Sequence, residues 1–294
     1  MSQPRKSSAR REPLGQPATI TSRDNRWLKR FRSALSGDEI GDGLVGVEGV
    51  RLVEAALGSG LSVEAILVSQ SGERHLSRIE HLLSSDLQIL HTTDRLFEGI
   101  ADTQSPQGIA ALVRPEPATI ENLLRGTPLV IVLVGVQDPG NVGTILRAAE
   151  AFGATGAAAC SLGKLGTADP LGPKALRASA GSALRLPILR GMSSGALLAK
   201  LGASGVKTYA AVAGTNQDRN SAPPLLRPWE IDWKSPSALL IGNEGAGLPD
   251  EIVRSAGARV SIPQATAKVP IGIESLNAAM AATVLLYEAM RQRI

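Results

Sequence analysis

The sequence predicts an α/β protein of two domains, the second of them built on a parallel sheet. Three observations lead there. Short apolar stretches of strand length alternate with segments of helical period along most of the chain, the pattern of a sheet covered by helices. Pro128 to Val136 is a nearly continuous apolar run bounded by Pro and Gly, as expected for a strand buried on both faces of a parallel sheet. Ala238-Leu239-Leu240-Ile241 is a second such run and passes directly into Gly242-Asn243-Glu244-Gly245-Ala246-Gly247-Leu248-Pro249, where the glycines expose main-chain N–H groups to a ligand.

A chain of 294 residues has length for two domains and a substantial core. Its net charge of +4 is unevenly spread: Met1 to Ser33 holds nine Lys or Arg against two acids, Glu12 and Asp24, so the remainder is slightly acidic. A basic arm on an acidic body suits a polyanion, most simply nucleic acid, and Arg23, Arg26 and Lys29 are candidate phosphate contacts; a solvated tail is the competing reading. One cysteine, Cys160, excludes a disulfide framework and a cysteine-based zinc site, and three histidines have no ligand spacing, so no metal is expected. Residues 1–17 read as a disordered basic tail. Lacking the apolar core of a secretory signal, and with no apolar run near ~18 residues, the chain is expected in the cytoplasm and off the membrane. An organellar transit peptide fits the acid-poor Met1 to Pro17 equally well.

A first, small α/β domain is expected over 18–115. Trp27, Leu28, Phe31 and Leu35 mark an amphipathic helix over Asp24 to Leu35. Gly43 to Val47 reads as a strand, and Val50, Val53 and Leu57 as a helix stripe after it. Strands follow at Val63 to Val68, Leu87 to Leu90 and Gly108 to Val113, with a helix around Ser77 to Leu83. Glu48 and Gly49 end a strand and cap a helix; His75, His81 and His91 read as surface residues. Pro115, Pro117 and Gly126 mark a linker over 116–126.

The second domain, 127–294, carries the polar candidates. The Pro128–Val136 strand delivers Asp138-Pro139-Gly140-Asn141 at its carboxyl end, where open α/β sheets bind ligands. Asn141 is the N-cap by position of a helix that buries Val142, Ile145, Leu146, Ala149 and Phe152 and stops at Gly153. Arg147 lies off that stripe, and residue type alone favours a solvated or Glu150-paired role. Lys174 and Arg177 flank the small residues Ala178 to Ser182, a mixture that suits a backbone approached by phosphate. Strands are expected at Gly156 to Cys160, Val206 to Val212 and Val260 to Pro263. The glycine loop is spaced G-x-x-G-x-G, the reverse of the dinucleotide fingerprint. Ser275 reads either as an N-cap or as a site residue. Asn277, one turn into a helix of alanines and aliphatics, is a poor helix former and not a capping choice. That terminal helix, Leu276 to about Gln292, is apolar almost all round and needs cover beyond its own core, most economically a second copy of the chain.

Three segments, QDPGNVGTILRAAEAFGA, IGNEGAGLP and GIESLNAAMAA, in this order, resemble the three motifs of the SpoU/TrmH branch of the SPOUT RNA methyltransferases. GVEGVRLVEAAL and TQSPQGIAALV resemble the small RNA-substrate-binding domain that many such enzymes carry. The resemblance implies a C-terminal trefoil-knotted domain, a homodimer through the C-terminal helix, and methyl transfer from S-adenosyl-L-methionine to a ribose 2′-hydroxyl in structured RNA, with ribosomal RNA favoured over transfer RNA. It implies catalytic or orienting roles for Asn141, Arg147, Glu244, Ser275 and Asn277. Gly242, Gly245, Gly247, Ile262 and Leu276 would enclose the cofactor. Gln264 to Lys268 lengthens the path from Pro263 to Ser275 beyond that of most members. Two rival readings are a non-catalytic RNA-binding protein on this fold, opposed by the five polar positions, and a nicotinamide-dependent oxidoreductase, opposed by the reversed glycine spacing.

Overall fold

The computed structural model describes residues 18–38, 43–161, 166–213, 223–265 and 275–294. The 1–17 tail and most of the Gln264–Lys268 insertion lie outside them. The first sheet is built from β1 (Ala18–Ile20), β2 (Val45–Glu48), β3 (Ser62–Ser69), β4 (Gln88–Thr92) and β5 (Ile109–Arg114), with helices α1 (Arg26–Ser36), α2 (Val50–Gly58), α3 (Leu76–Ile79) and α4 (Asp94–Glu98). Its order is β1-β4-β3-β5-β2, parallel from β1 to β3 and antiparallel across β5. His75 and His91 are half-buried rather than on the surface, with His91 Nδ1 3.5 Å from Glu73.

After α5 (Ile120–Leu123), the second sheet takes β6 (Leu129–Val134), β7 (Gly156–Ser161), β8 (Ile188–Ser193), β9 (Lys207–Ala211), β10 (Leu225–Leu226), β11 (Ser237–Ile241) and β12 (Ala258–Val260) in the order β10-β12-β9-β11-β6-β7-β8, every pair parallel. Its helices are α6 (Pro139–Ala151), α7 (Pro173–Ser179), α8 (Ser182–Arg185), α9 (Ser194–Ala203), α10 (Asp250–Ser255) and α11 (Ala278–Arg293). β6 is buried along its whole length: Leu129, Ile131 and Leu133 enter one core, Val130, Val132 and Val134 the other. The strand alternation thus divides one apolar run between two faces, as a covered parallel sheet requires. The first of those cores continues into Val47, Ile66 and Ile109 of the first sheet and Val53 of α2.

β1, α4, α5, α7, α8, β8, α9, β10 and α10 are not among the elements expected from the sequence, most of them being too short or too mixed in pattern for a clean period. The terminal helix begins at Ala278, two residues later than expected. Ala282, Leu285, Leu286 and Ala289 are buried on its own core, while Met280, Val284 and Tyr287 are exposed. Its last turn is tied down by Arg293, which donates to the carbonyls of Trp233, Thr127, Pro128 and Ser235 at 2.7, 3.0, 3.0 and 3.3 Å.

Candidate active site

β6 and β11 are neighbours in the sheet, so their carboxyl ends deliver two loops to the same place. After β6 the chain enters α6, whose N-cap is Asp138, its carboxylate accepting from Gly140 N at 2.8 Å. Asn141 is therefore not the N-cap expected from its position. Pro139 takes the first helical place, which its fixed φ and missing N–H suit, and this moves the cap one residue ahead of the proline. Asn141 is left in the first turn with a carboxamide that does not cap the helix.

After β11 the chain folds into a tight loop in which Asn243 and Gly247 exchange backbone hydrogen bonds at 3.0 and 2.9 Å. Asn243 Oδ1 accepts from Gly245 N and Ala246 N, both at 3.0 Å, and its Nδ2 donates to Gly135 O at 3.0 Å. A Cβ on Gly242 would lie 2.4 Å from Gly247 C and Leu248 N, so the loop closes only on glycine. Asn243 was missed in the sequence, although an Asn just before a glycine-rich turn is itself a turn signal.

Glu244 projects from this loop and accepts four donors: Gln137 N at 3.2 Å, Asp138 N at 3.0 Å, Asn141 Nδ2 at 3.0 Å and Asn243 Nδ2 at 3.4 Å. Burial works against its charged form, but the hydrogen bonds, that from Asn141 foremost, outweigh it and hold the carboxyl below the usual glutamate range. Asn141 Oδ1 accepts in turn from Asn277 Nδ2 at 3.1 Å. Asn277 Oδ1 accepts from Ala279 N and Met280 N at 2.9 and 3.2 Å, so Asn277 is the N-cap of α11, contrary to the expectation that a carboxamide there does not cap. Ser275 makes no cap. Each amide orientation follows from its neighbour: a carboxylate only accepts, so Nδ2 of Asn141 must face it, and helix amides only donate, so Oδ1 of Asn277 must face them.

A cavity of about 760 Å³ opens beside this chain. All five predicted cofactor residues, Gly242, Gly245, Gly247, Ile262 and Leu276, line it, together with Glu244 and Ser275. Leu248, Val260 and Leu285 add apolar wall that the sequence reading did not single out.

Hydrogen bonds join Asn141, Glu244 and Asn277 here, with Ser275 on the cavity wall, whereas Arg147, further along α6, bonds to none of them. Its side chain is exposed and makes no hydrogen bond or ion pair among the described residues. The pairing with Glu150 does not form, because Arg185 holds that carboxylate through Nε and Nη2 at 2.6 and 2.7 Å. Of the basic candidates, Lys174 comes to the site's edge, 3.1 Å from Asp138. Arg177 is engaged by Asp102 at 2.7 Å. Arg23 is exposed just ahead of α1; on that helix Arg26 is exposed beside Trp27, and Lys29 lies 3.4 Å from Asp24. Cys160 is buried and its thiol pushed up to about 12 by burial, so it supplies no thiolate. No group of metal-ligating residues occurs among the described residues.

The sequence profile of the SpoU rRNA Methylase family matches residues 128–287, which take in the second sheet, the glycine loop and the first ten residues of α11. The chain belongs to the SpoU family. The profile of the MRM3-like substrate binding domain matches residues 41–111, on the first sheet. An uncharacterized tRNA/rRNA methyltransferase of Synechocystis sp. is 33% identical, with 94% of each chain covered. The 23S rRNA (guanosine(2553)-2′-O)-methyltransferase of Bacillus subtilis is 34% identical over 82% of this chain and 86% of that one. Among solved structures, the AdoMet-bound rRNA methyltransferase from Sinorhizobium meliloti superposes with a TM-score of 0.74 at 29% identity, covering 94% of this chain and 98% of that one. In this SpoU chain, therefore, the cavity and the polar chain on its rim both fall within the segment that carries the family's signature.

Proposed function

We propose that this protein transfers a methyl group from S-adenosyl-L-methionine to a ribose 2′-hydroxyl of ribosomal RNA. The observation that carries the reading is the hydrogen-bonded chain Asn277–Asn141–Glu244 on the rim of the glycine-loop cavity. Ribosomal RNA is favoured over transfer RNA because the Bacillus relative is named for 23S rRNA and the Sinorhizobium neighbour for rRNA.

The cavity fits the cofactor in size and chemistry: a glycine backbone admits close approach, and Leu248, Val260, Ile262 and Leu285 supply apolar wall for a flat ring. Gly242, Gly245, Gly247, Ile262 and Leu276 would hold the cofactor, which when bound supplies an electrophilic methyl. The remaining work belongs to the chain. Asn141, fixed between Glu244 and Asn277, orients the ribose, and Ser275 offers a hydroxyl at the rim; holding both partners in line supplies much of the rate. Arg147, whose guanidinium stays protonated, grips an RNA phosphate and stabilises the developing alkoxide instead of acting as a base.

The organisation that goes with this reading is a basic arm over 1–17, an RNA-binding domain over 18–115 with Arg23, Arg26 and Lys29 on its first helix and the turn before it, a linker over 116–126, and the knotted methyltransferase domain over 127–294. Dimerisation through α11 is supported by its exposed Met280, Val284 and Tyr287. The cytoplasm is the proposed location; among the described residues no helix is long and apolar enough to cross a membrane.

The test is methylation of ribosomal RNA from a strain lacking the protein, with labelled S-adenosyl-L-methionine and mapping of 2′-O-methyl groups. A single modified nucleotide, absent with Asn141→Ala, supports the reading. Tight RNA binding with no methylation would favour a non-catalytic RNA-binding protein.

A further inference from the structure

The seam between the two sheets holds a line of charged groups that the cavity does not use. Glu48, at the end of β2, is a carboxylate only 8% exposed, and one loop takes both its oxygens. Oε2 accepts from Asp102 N at 2.9 Å and Oε1 from the Thr103 hydroxyl. A buried carboxylate bonded at both oxygens immobilises the backbone that donates to it. Further along the same loop, Gln107 Oε1 accepts from Val50 N at 2.9 Å at the start of α2. The loop is thus part of the first sheet's rigid frame.

Asp102 uses its own carboxylate across the seam, where Oδ2 accepts from Arg177 Nη1 at 2.7 Å. Arg177 lies in the last turn of α7, which packs along α6. Three residues earlier on α7, Lys174 reaches Asp138, the N-cap of the helix that carries Asn141. A helix of seven residues therefore touches the first sheet at one end and the first turn of α6 at the other. The approach is close: Gly181, at φ 85°, would bring a Cβ within 2.5 Å of the Ala55 Cβ on α2.

We propose that Arg177 is a positioning residue, which through Asp102 and Glu48 latches the first sheet to α6 and α7 so that RNA held by the first domain meets Asn141 in one orientation. The inference rests on the methyltransferase reading above. The side chains of Arg177 and Asp102 are 36% and 38% exposed, and pairs so open contribute little to global stability. A planar guanidinium on a carboxylate does, however, define a direction. Shared core across the seam keeps the two sheets together; the ion pair selects their angle.

Arg177→Ala and the exchanged pair Asp102→Arg with Arg177→Asp test this in the full chain. For Arg177→Ala we expect unchanged melting and S-adenosyl-L-methionine affinity, kcat within about two-fold, and KM for a ribosomal RNA fragment raised about ten-fold, with most of the loss recovered in the exchanged pair. Spin labels on Arg51→Cys and Lys200→Cys, one on each domain, should give a broader distance distribution in Arg177→Ala than in the otherwise wild-type chain. The proposal is overturned by an unchanged KM for RNA, by an unchanged distance distribution, or by KM for both substrates, kcat and melting all deteriorating together. Should the wild-type chain methylate no RNA, the reading of its function fails, while the spin-label distances still decide the latch.

Discussion

Asn141 Nδ2 donates to Glu244 Oε1 at 3.0 Å across 103 positions of sequence, and Asn277 Nδ2 donates to Asn141 Oδ1 at 3.1 Å across 136. Three segments that are remote in the chain thereby share one polar line with a fixed direction. Because Asp138 and not Asn141 caps α6, stability and turnover separate at these two positions. Asp138→Ala should lower the melting temperature. Asn141→Ala should leave melting and cofactor affinity nearly unchanged while single-turnover methylation falls by ~10²-fold, the scale of a lost transition-state donor. Equal turnover in Asn141→Ala and wild type would remove Asn141 from the mechanism.

Arg147 has no partner to lose among the described residues, so Arg147→Ala is expected to melt with the wild type. Methylation should drop by ~10²-fold or more, and Arg147→Lys should recover little, since an ammonium cannot reproduce the planar fork. Wild-type rates in Arg147→Ala would place the catalytic cation elsewhere.

Glu244 is held below the usual glutamate range because its hydrogen bonds outweigh the cost of its burial. A depressed carboxyl contributes stability that is complete above its unfolded value, ~4.3, and is lost as pH falls through the lower folded value. The melting difference between wild type and Glu244→Gln should accordingly stay constant near neutrality and shrink below about pH 4. A difference that widens on acidification would mean that the folded protein raises this carboxyl.

Val284 is 44% exposed and shares a face with Met280 and Tyr287 at 60% and 51%. A charge introduced there meets solvent in a single chain but would be buried in a dimer, at a cost of several kcal/mol. Val284→Glu is expected to convert a dimer to a folded monomer in sedimentation velocity, with the circular dichroism of the wild type. A wild-type chain that sediments as a monomer at micromolar concentration would refute the proposed interface.

Local signals were enough for much of this. The all-apolar run at β6, bounded by Pro and Gly, points to a doubly covered strand, since successive side chains of a strand face opposite sides and here both sides are buried. The glycine loop announced close backbone approach, and Gly242 has no room for a Cβ. All five of the expected pocket residues line one cavity for the same reason: a parallel sheet gathers its loops at one edge. Tertiary structure decided what depends on partners distant in sequence. Asn141 lost its expected cap to Asp138, a shift that Pro139 makes legible in principle, whereas its bond to Glu244 depends on β6 and β11 being adjacent and its bond to Asn277 on α11 packing against α6. Asn277 is out of place inside a helix that begins at Leu276, but the helix begins at Ala278 and the same carboxamide caps it. Charge and small neighbours mark Arg177 as a candidate phosphate contact, and only the fold shows that its guanidinium also meets Asp102. Residue type fixes which bonds a side chain is able to make, and the packing of remote segments selects which of them it makes.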